Sequence, residues 1–166
     1  MAIVLIGCSM AAFASNVRTD YDHTFNFSQY KTYSWGKVQT SNPFFVSRIQ
    51  QAVDRKLQAK GWKLLPTSGS VTVFATDKIH DQQQVQTWYD GLGGGWADPG
   101  FGTATTTTTD QQVANVVIDL FDNGSKKLLW RGLATNDLSS HADKNTRMLD
   151  GDINDMFKNF PPKAGK

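Results

Sequence analysis

The chain has 166 residues, 39% hydrophobic and 19% charged, a composition that excludes a disordered chain, a collagen and a multi-span membrane protein. Seventeen Lys and Arg against fifteen Asp and Glu leave a net charge of +2, too balanced to forecast a nucleic-acid partner or an acidic membrane surface. The one cysteine, Cys8, excludes an intramolecular disulfide and a multi-cysteine metal site. The length suffices to bury one core without such staples.

Residues Ala2 to Ala14 read AIVLIGCSMAAFA. About 20 apolar residues are needed to span a bilayer, so this run is too short for that and suits the apolar region of a secretory signal. Ala12-Phe13-Ala14 is an A-x-A cleavage site that would release a chain starting at Ser15. Leu5-Ile6-Gly7-Cys8 is similar to the bacterial lipobox and makes Cys8 the candidate lipidation site. A buried first strand or helix is the alternative. Cleavage after Ala14 is favoured over lipidation because Cys8 is followed by a further apolar stretch, SMAAFA. It discards the only thiol, which suits an oxidising compartment. Residues 15–166 then form a single domain.

Val17 to Tyr21 alternates loosely and predicts a first strand, and Phe25 to Tyr30 a turn. Lys31 to Trp35 is β-branched and aromatic with period 2, with Tyr33 and Trp35 on one face, and predicts a second strand. Asn42-Pro43 opens a helix, Asn as cap and Pro at the first helical position. Phe45, Ile49, Ala52/Val53 and Leu57 follow at spacings of three and four, and Gly61 closes the helix. Trp62 to Leu65 predicts a short strand ended by Pro66. Val71 to Thr76 predicts another, with strand character continuing patchily through Ile79, Val85 and Trp88.

Residues 90–110 read as a Gly/Thr-rich loop. Within it, the run Thr105 to Thr109 fits an edge strand or a mobile arm. Ala114 to Phe121, the turn signal Asn123-Gly124, and Leu128 to Leu133 predict a hairpin. Ser140 and Asp143 make a partial capping box, followed by an apolar stripe of Leu149, Ile153, Met156/Phe157 and Phe160 that Pro161-Pro162 ends. The fold class expected is α+β: a largely antiparallel sheet of five or six strands with two helices packed on one face.

Four stretches, in order, carry a resemblance: VRTDYDHTFNFSQYKTYSW (Val17 to Trp35), the Asn-Pro helix start through Lys60-Gly61-Trp62, VVIDLFDNGSKKLLWRGLA (Val116 to Ala134), and MFKNFPP (Met156 to Pro162). Together they are similar to the bacterial envelope family known as domain of unknown function 4136. The resemblance implies export, often as a lipoprotein, and no activity or catalytic residue to carry over. This chain departs from the pattern in its ambiguous lipobox and in SVTVFATDK, which lacks an acidic residue at the start of the strand.

Motifs for chemistry are sparse. His23, His80 and His141 have no ligand-spaced partners, so surface or turn roles are expected and no metal site. Asp150, Asp152 and Asp155 sit in a helical stripe without the late Glu of a calcium loop and read as a solvated helix face. Asp20 and Asp22 flank Tyr21 and are a carboxylate pair that a hydrolase could use, as it could other carboxylates, with a turn or edge role favoured. The glycines lack the Lys of a phosphate loop. Arg131 could pair with an anion, but a solvated or stacked strand arginine is favoured. Trp88, Tyr89, Trp96 and Phe101 flank the Gly-rich region, and Trp88, Trp96 and Phe101 are the candidate ligand-binding residues, able to stack on sugars. The expectation is a non-catalytic binding or structural module, periplasmic or secreted, with no catalytic residue and no cofactor. Its partner is an unidentified envelope component, and it touches membrane only through a lipid on Cys8. The alternatives are a carboxylate-dependent envelope hydrolase and a binder of glycan or peptidoglycan.

Overall fold

The computed structural model describes residues 16–90 and 103–162. Cys8, Trp96 and Phe101 lie outside these residues. Trp88 lies in a strand whose side chains are undescribed at that position. The strands are β1 (Asn16–Tyr21), β2 (Thr32–Thr40), β3 (Lys63–Leu64), β4 (Val71–Asp90), β5 (Thr103–Asp122) and β6 (Leu128–Asp137). The helices are α1 (Phe44–Ala59) and α2 (Ala142–Met156). The strands form one sheet in the order β1-β6-β5-β4-β2-β3, and the α+β expectation holds. The sheet is mixed: β2 runs parallel to both β3 and β4, while the other neighbours are antiparallel. The helix between β2 and β4 supplies the crossover that a parallel pair requires.

Asn42 begins α1 as its sequence suggests: Oδ1 accepts the Phe44 N–H at 3.0 Å and the carbonyl accepts from Phe45 at 2.9 Å. At the far end Gly61 takes φ +83°, and Trp62 N–H reaches back to the Leu57 carbonyl at 3.0 Å. Only glycine adopts that left-handed turn without a Cβ penalty. The predicted stripe of α1 and that of α2 pack together over Val71, Val73, Ala75, Val116, Ile118, Leu120 and Ala134. Each large side chain so buried contributes about 1.5–3 kcal/mol. The helices run side by side in the same direction. Arg48 donates to Thr146 at 2.8 Å, and Arg55 pairs with Asp150 at 3.1 Å.

Two local expectations fail for identifiable reasons. Asn123-Gly124 does not make a two-residue turn; the left-handed position is Lys126, at φ 61°. Asp122 organises a longer connection by accepting the Ser125 N–H at 2.7 Å and the Lys126 N–H at 2.9 Å. Ser140 does not cap α2. His141 stands at that position without a side-chain cap bond, while Asn145 bonds to the Ser139 N–H and carbonyl, both at 2.8 Å. The run Thr105 to Thr109, for which an edge strand or a mobile arm was expected, is strand. It pairs with Gln84 to Trp88 inside one long β4–β5 ribbon. β2 leaves this ribbon at Asp77 and β6 leaves it at Val113. From Asp81↔Gln112 to Asp90↔Thr103 the two strands pair only with each other among the described residues.

Candidate functional site

Apolar alternation along β6 places Trp130, Gly132 and Ala134 toward the helices, and Asn136 continues that series. On α2 the stripe from Leu149 to Ile153 and Met156 includes Asp152 at the i+3 position. The two polar residues meet: Asn136 donates its side-chain amide to Asp152 Oδ2. Asp152 is 3% exposed, which corrects the reading of Asp150, Asp152 and Asp155 as one solvated face. Only Asp150 and Asp155 are exposed.

Asp152 lines a groove of about 870 Å³. α2 contributes Lys144, Arg147, Met148, Gly151 and Asp155 alongside it. The opposite wall comprises Asn16, Thr135, Asn136 and Asp137, and Val113 and Gln82 from the root of the ribbon complete it. Gly151 stands in mid-helix, where glycine costs about 1 kcal/mol relative to alanine. A Cβ built there meets nothing within 4 Å, so no neighbour demands the missing side chain.

Burial pushes the Asp152 carboxyl from 3.8 up to about 6; the Asn136 hydrogen bond opposes this and the Asp155 charge adds to it. The folded state therefore holds this proton to higher pH than the unfolded chain does. Asp152 thus makes stability fall as pH rises through the window from about 4 to about 6. Asp152→Asn is expected to be more stable than the parent by about 3 kcal/mol above that window and nearly equal to it at pH 4. Urea denaturation at the two pH values measures this, and an equal effect at both would refute it. Asp77, 2% exposed, is likewise raised by burial, opposed by the Ser41 backbone, and acts in the same direction.

Other sequence candidates are committed elsewhere. Asp22 accepts the Thr24 N–H at 2.9 Å and its hydroxyl at 2.6 Å, and Asp20 accepts the Tyr21 N–H at 2.9 Å. Arg131 pairs in two-pronged fashion with Asp119 on β5, at 2.6 and 2.8 Å. His23 stacks on Tyr21 at 4.1 Å, His80 approaches Asn115, and His141 approaches Ser139 and Ser140. No cluster of metal-ligating side chains occurs among the described residues. A second depression, about 500 Å³, is lined by Phe25, Tyr30, Asp122 and Lys127, but its carboxylate already serves the β5–β6 turn. No helix among the described residues is long and apolar enough to cross a membrane.

Sequence reasoning did not single out Asn136, Asp137, Arg147 or Gly151 as parts of a site. The legible signal was a polar residue at an apolar-phase position, twice: Asn136 after Ala134, and Asp152 three residues after Leu149.

The architecture is shared with solved structures. A PDZ domain protein from Parabacteroides distasonis superposes with TM-score 0.62 at 11% identity, over 90% of this chain and 36% of that one. This chain thus spans about a third of that protein's length. PelC from Paraburkholderia phytofirmans, solved as a dodecamer, superposes with TM-score 0.50 at 12% identity, over 87% of this chain and 97% of that one. At these identities the likeness is one of fold. No curated protein matches the sequence. The family described as "Domain of unknown function (DUF4136)" matches residues 17–162, and the chain belongs to that family.

Proposed function

We propose that this protein is a non-catalytic binding module of the bacterial envelope and that the groove beside α2 is where it binds. The observation that carries this reading is Asp152, a carboxylate buried against the sheet at a cost to stability, on the wall of a groove of about 870 Å³. Ligand pockets are concave and carry a few placed polar groups on rigid elements, and α2 and β6 supply both. Export is supported by the signal-like run from Ala2 to Ala14 and by the family's envelope character. Asp20, in β1, and Asp22, in the following turn, each accept a nearby backbone N–H, which favours a local structural role for both.

The full chain expressed in a bacterium is expected in the envelope fraction, starting at Ser15 or lipidated on Cys8, as intact mass would show. Unprocessed protein in the cytoplasm refutes this. Muropeptides from digested peptidoglycan are expected to shift the amide NMR signals of Gly151 and Asp152. Shifts that spare α2 and vanish in Trp96→Ala would move the site to Trp88, Trp96 and Phe101. Turnover lost in Asp20→Asn or Asp22→Asn would make the protein an enzyme.

A further inference from the structure

The α2 residues on the groove are ordered by charge. Lys144 and Arg147 occupy the N-terminal half of the helix and Asp152 and Asp155 the C-terminal half. The helix dipole favours the reverse, anions at the N-terminal end and cations at the C-terminal end. Helix stability therefore does not account for the order. For Arg147 and Asp152, ion pairing along the helix does not account for it either. Arg147 makes no hydrogen bond or ion pair with a described residue, and Asp152 is bonded to the neutral Asn136. Lys144 and Asp155 have partners of their own and extend the same polarity. The remaining charge on the groove is Asp137 of β6.

Between the two charged ends lies Gly151, whose missing side chain leaves open space rather than relieving a contact. Gly151 lines the groove, so a larger residue there would enter that open space.

Resting on the reading of this groove as a binding site, we propose that its ligand is a zwitterion of short-peptide size, with its carboxylate on Arg147 and its ammonium on Asp152. A guanidinium is the side chain best matched to a carboxylate, which it meets with two parallel N–H donors. A buried carboxylate gains most from a ligand that brings the countercharge its own protein withholds. The helical rise sets these residues about 7.5 Å apart along the axis. An extended peptide advances about 3.3–3.6 Å per residue, so about two to four residues span the distance with the reach of the arginine.

The mature full-length protein is titrated with tetra-alanine bearing both termini, with its N-acetylated form and with its C-terminal amide. Each blocked form is expected to bind about tenfold or more weaker. In Arg147→Gln the preference for the free carboxylate disappears while that for the free amine stays; Asp152→Asn does the opposite. Gly151→Leu is expected to abolish binding without lowering the melting temperature, which separates a filled groove from an unfolded protein. Equal binding of blocked and unblocked peptides, or no saturable binding of tetra-alanine at millimolar concentration, overturns the zwitterion. If Gly151→Leu also leaves muropeptide binding untouched, the groove itself is not the site.

Discussion

Replacing Phe160 by alanine is expected to destabilise the protein by about 3–5 kcal/mol, the largest loss from any single side-chain truncation in this core. Phe160 is 2% exposed. Its ring lies 5.8 Å from Phe27, 5.5 Å from Trp62, 5.5 Å from Trp130 and 5.4 Å from Phe157. Those four rings belong to the turn before β2, the end of α1, β6 and the end of α2. One side chain therefore joins segments far apart in sequence, mostly with edge-to-face geometry, each pair adding about 0.5–1.5 kcal/mol beyond the area buried. Removing the ring leaves a cavity that four rigid aromatics cannot close. Phe160→Leu, which keeps part of the volume, is expected to lose less. Urea denaturation measures both, and a Phe160→Ala protein within about 1 kcal/mol of the parent would show that the cluster does not anchor the core.

Gly69→Ala is expected to cost at least about 3 kcal/mol, above the usual range for overpacking. A Cβ at this position would stand 2.3 Å from the Tyr33 carbonyl carbon and 2.5 Å from the Ser34 nitrogen. Those atoms are backbone of β2, held between β3 and β4, so they cannot rotate aside as a side-chain tip would. The close approach also lets the Gly69 N–H reach Ser34 Oγ at 3.3 Å, a contact the alanine variant would lose. Gly151→Ala is the internal comparison: its Cβ meets nothing, and it is expected to stabilise by up to about 1 kcal/mol. Equal melting temperatures for the two variants would contradict both assignments.

The elements with strong periodicity were legible. The stripe from Phe45 to Leu57 and the one from Leu149 to Phe160 needed only the helical repeat, and Asn42 and Gly61 marked where α1 starts and stops. Pairing was less legible. The parallel partnership of β2 with β4 depends on where α1 returns the chain, which no local pattern records. The outer ribbon was half legible: its threonines favour extended backbone, but a polar run carries no apolar alternation to name a partner, which the pairing of β4 with β5 supplies. The groove was hidden for another reason. Asp152 looked like one of three similar acids, and burial separates it from Asp150 and Asp155 only once Asn136 has been brought over from β6.

The sheet closes its order with the first strand beside the last: Asn16 stands opposite Thr135, and Tyr21 opposite Trp130. Among the described residues β1 has no other neighbour in the sheet. A nascent polypeptide therefore carries β1 unmated until more than a hundred later residues have emerged. Such long-range closure is slow. It makes the β1 edge of the sheet wait for β6, so that the pairing of Asn16 with Thr135 and of Tyr21 with Trp130 follows the formation of the rest of the sheet.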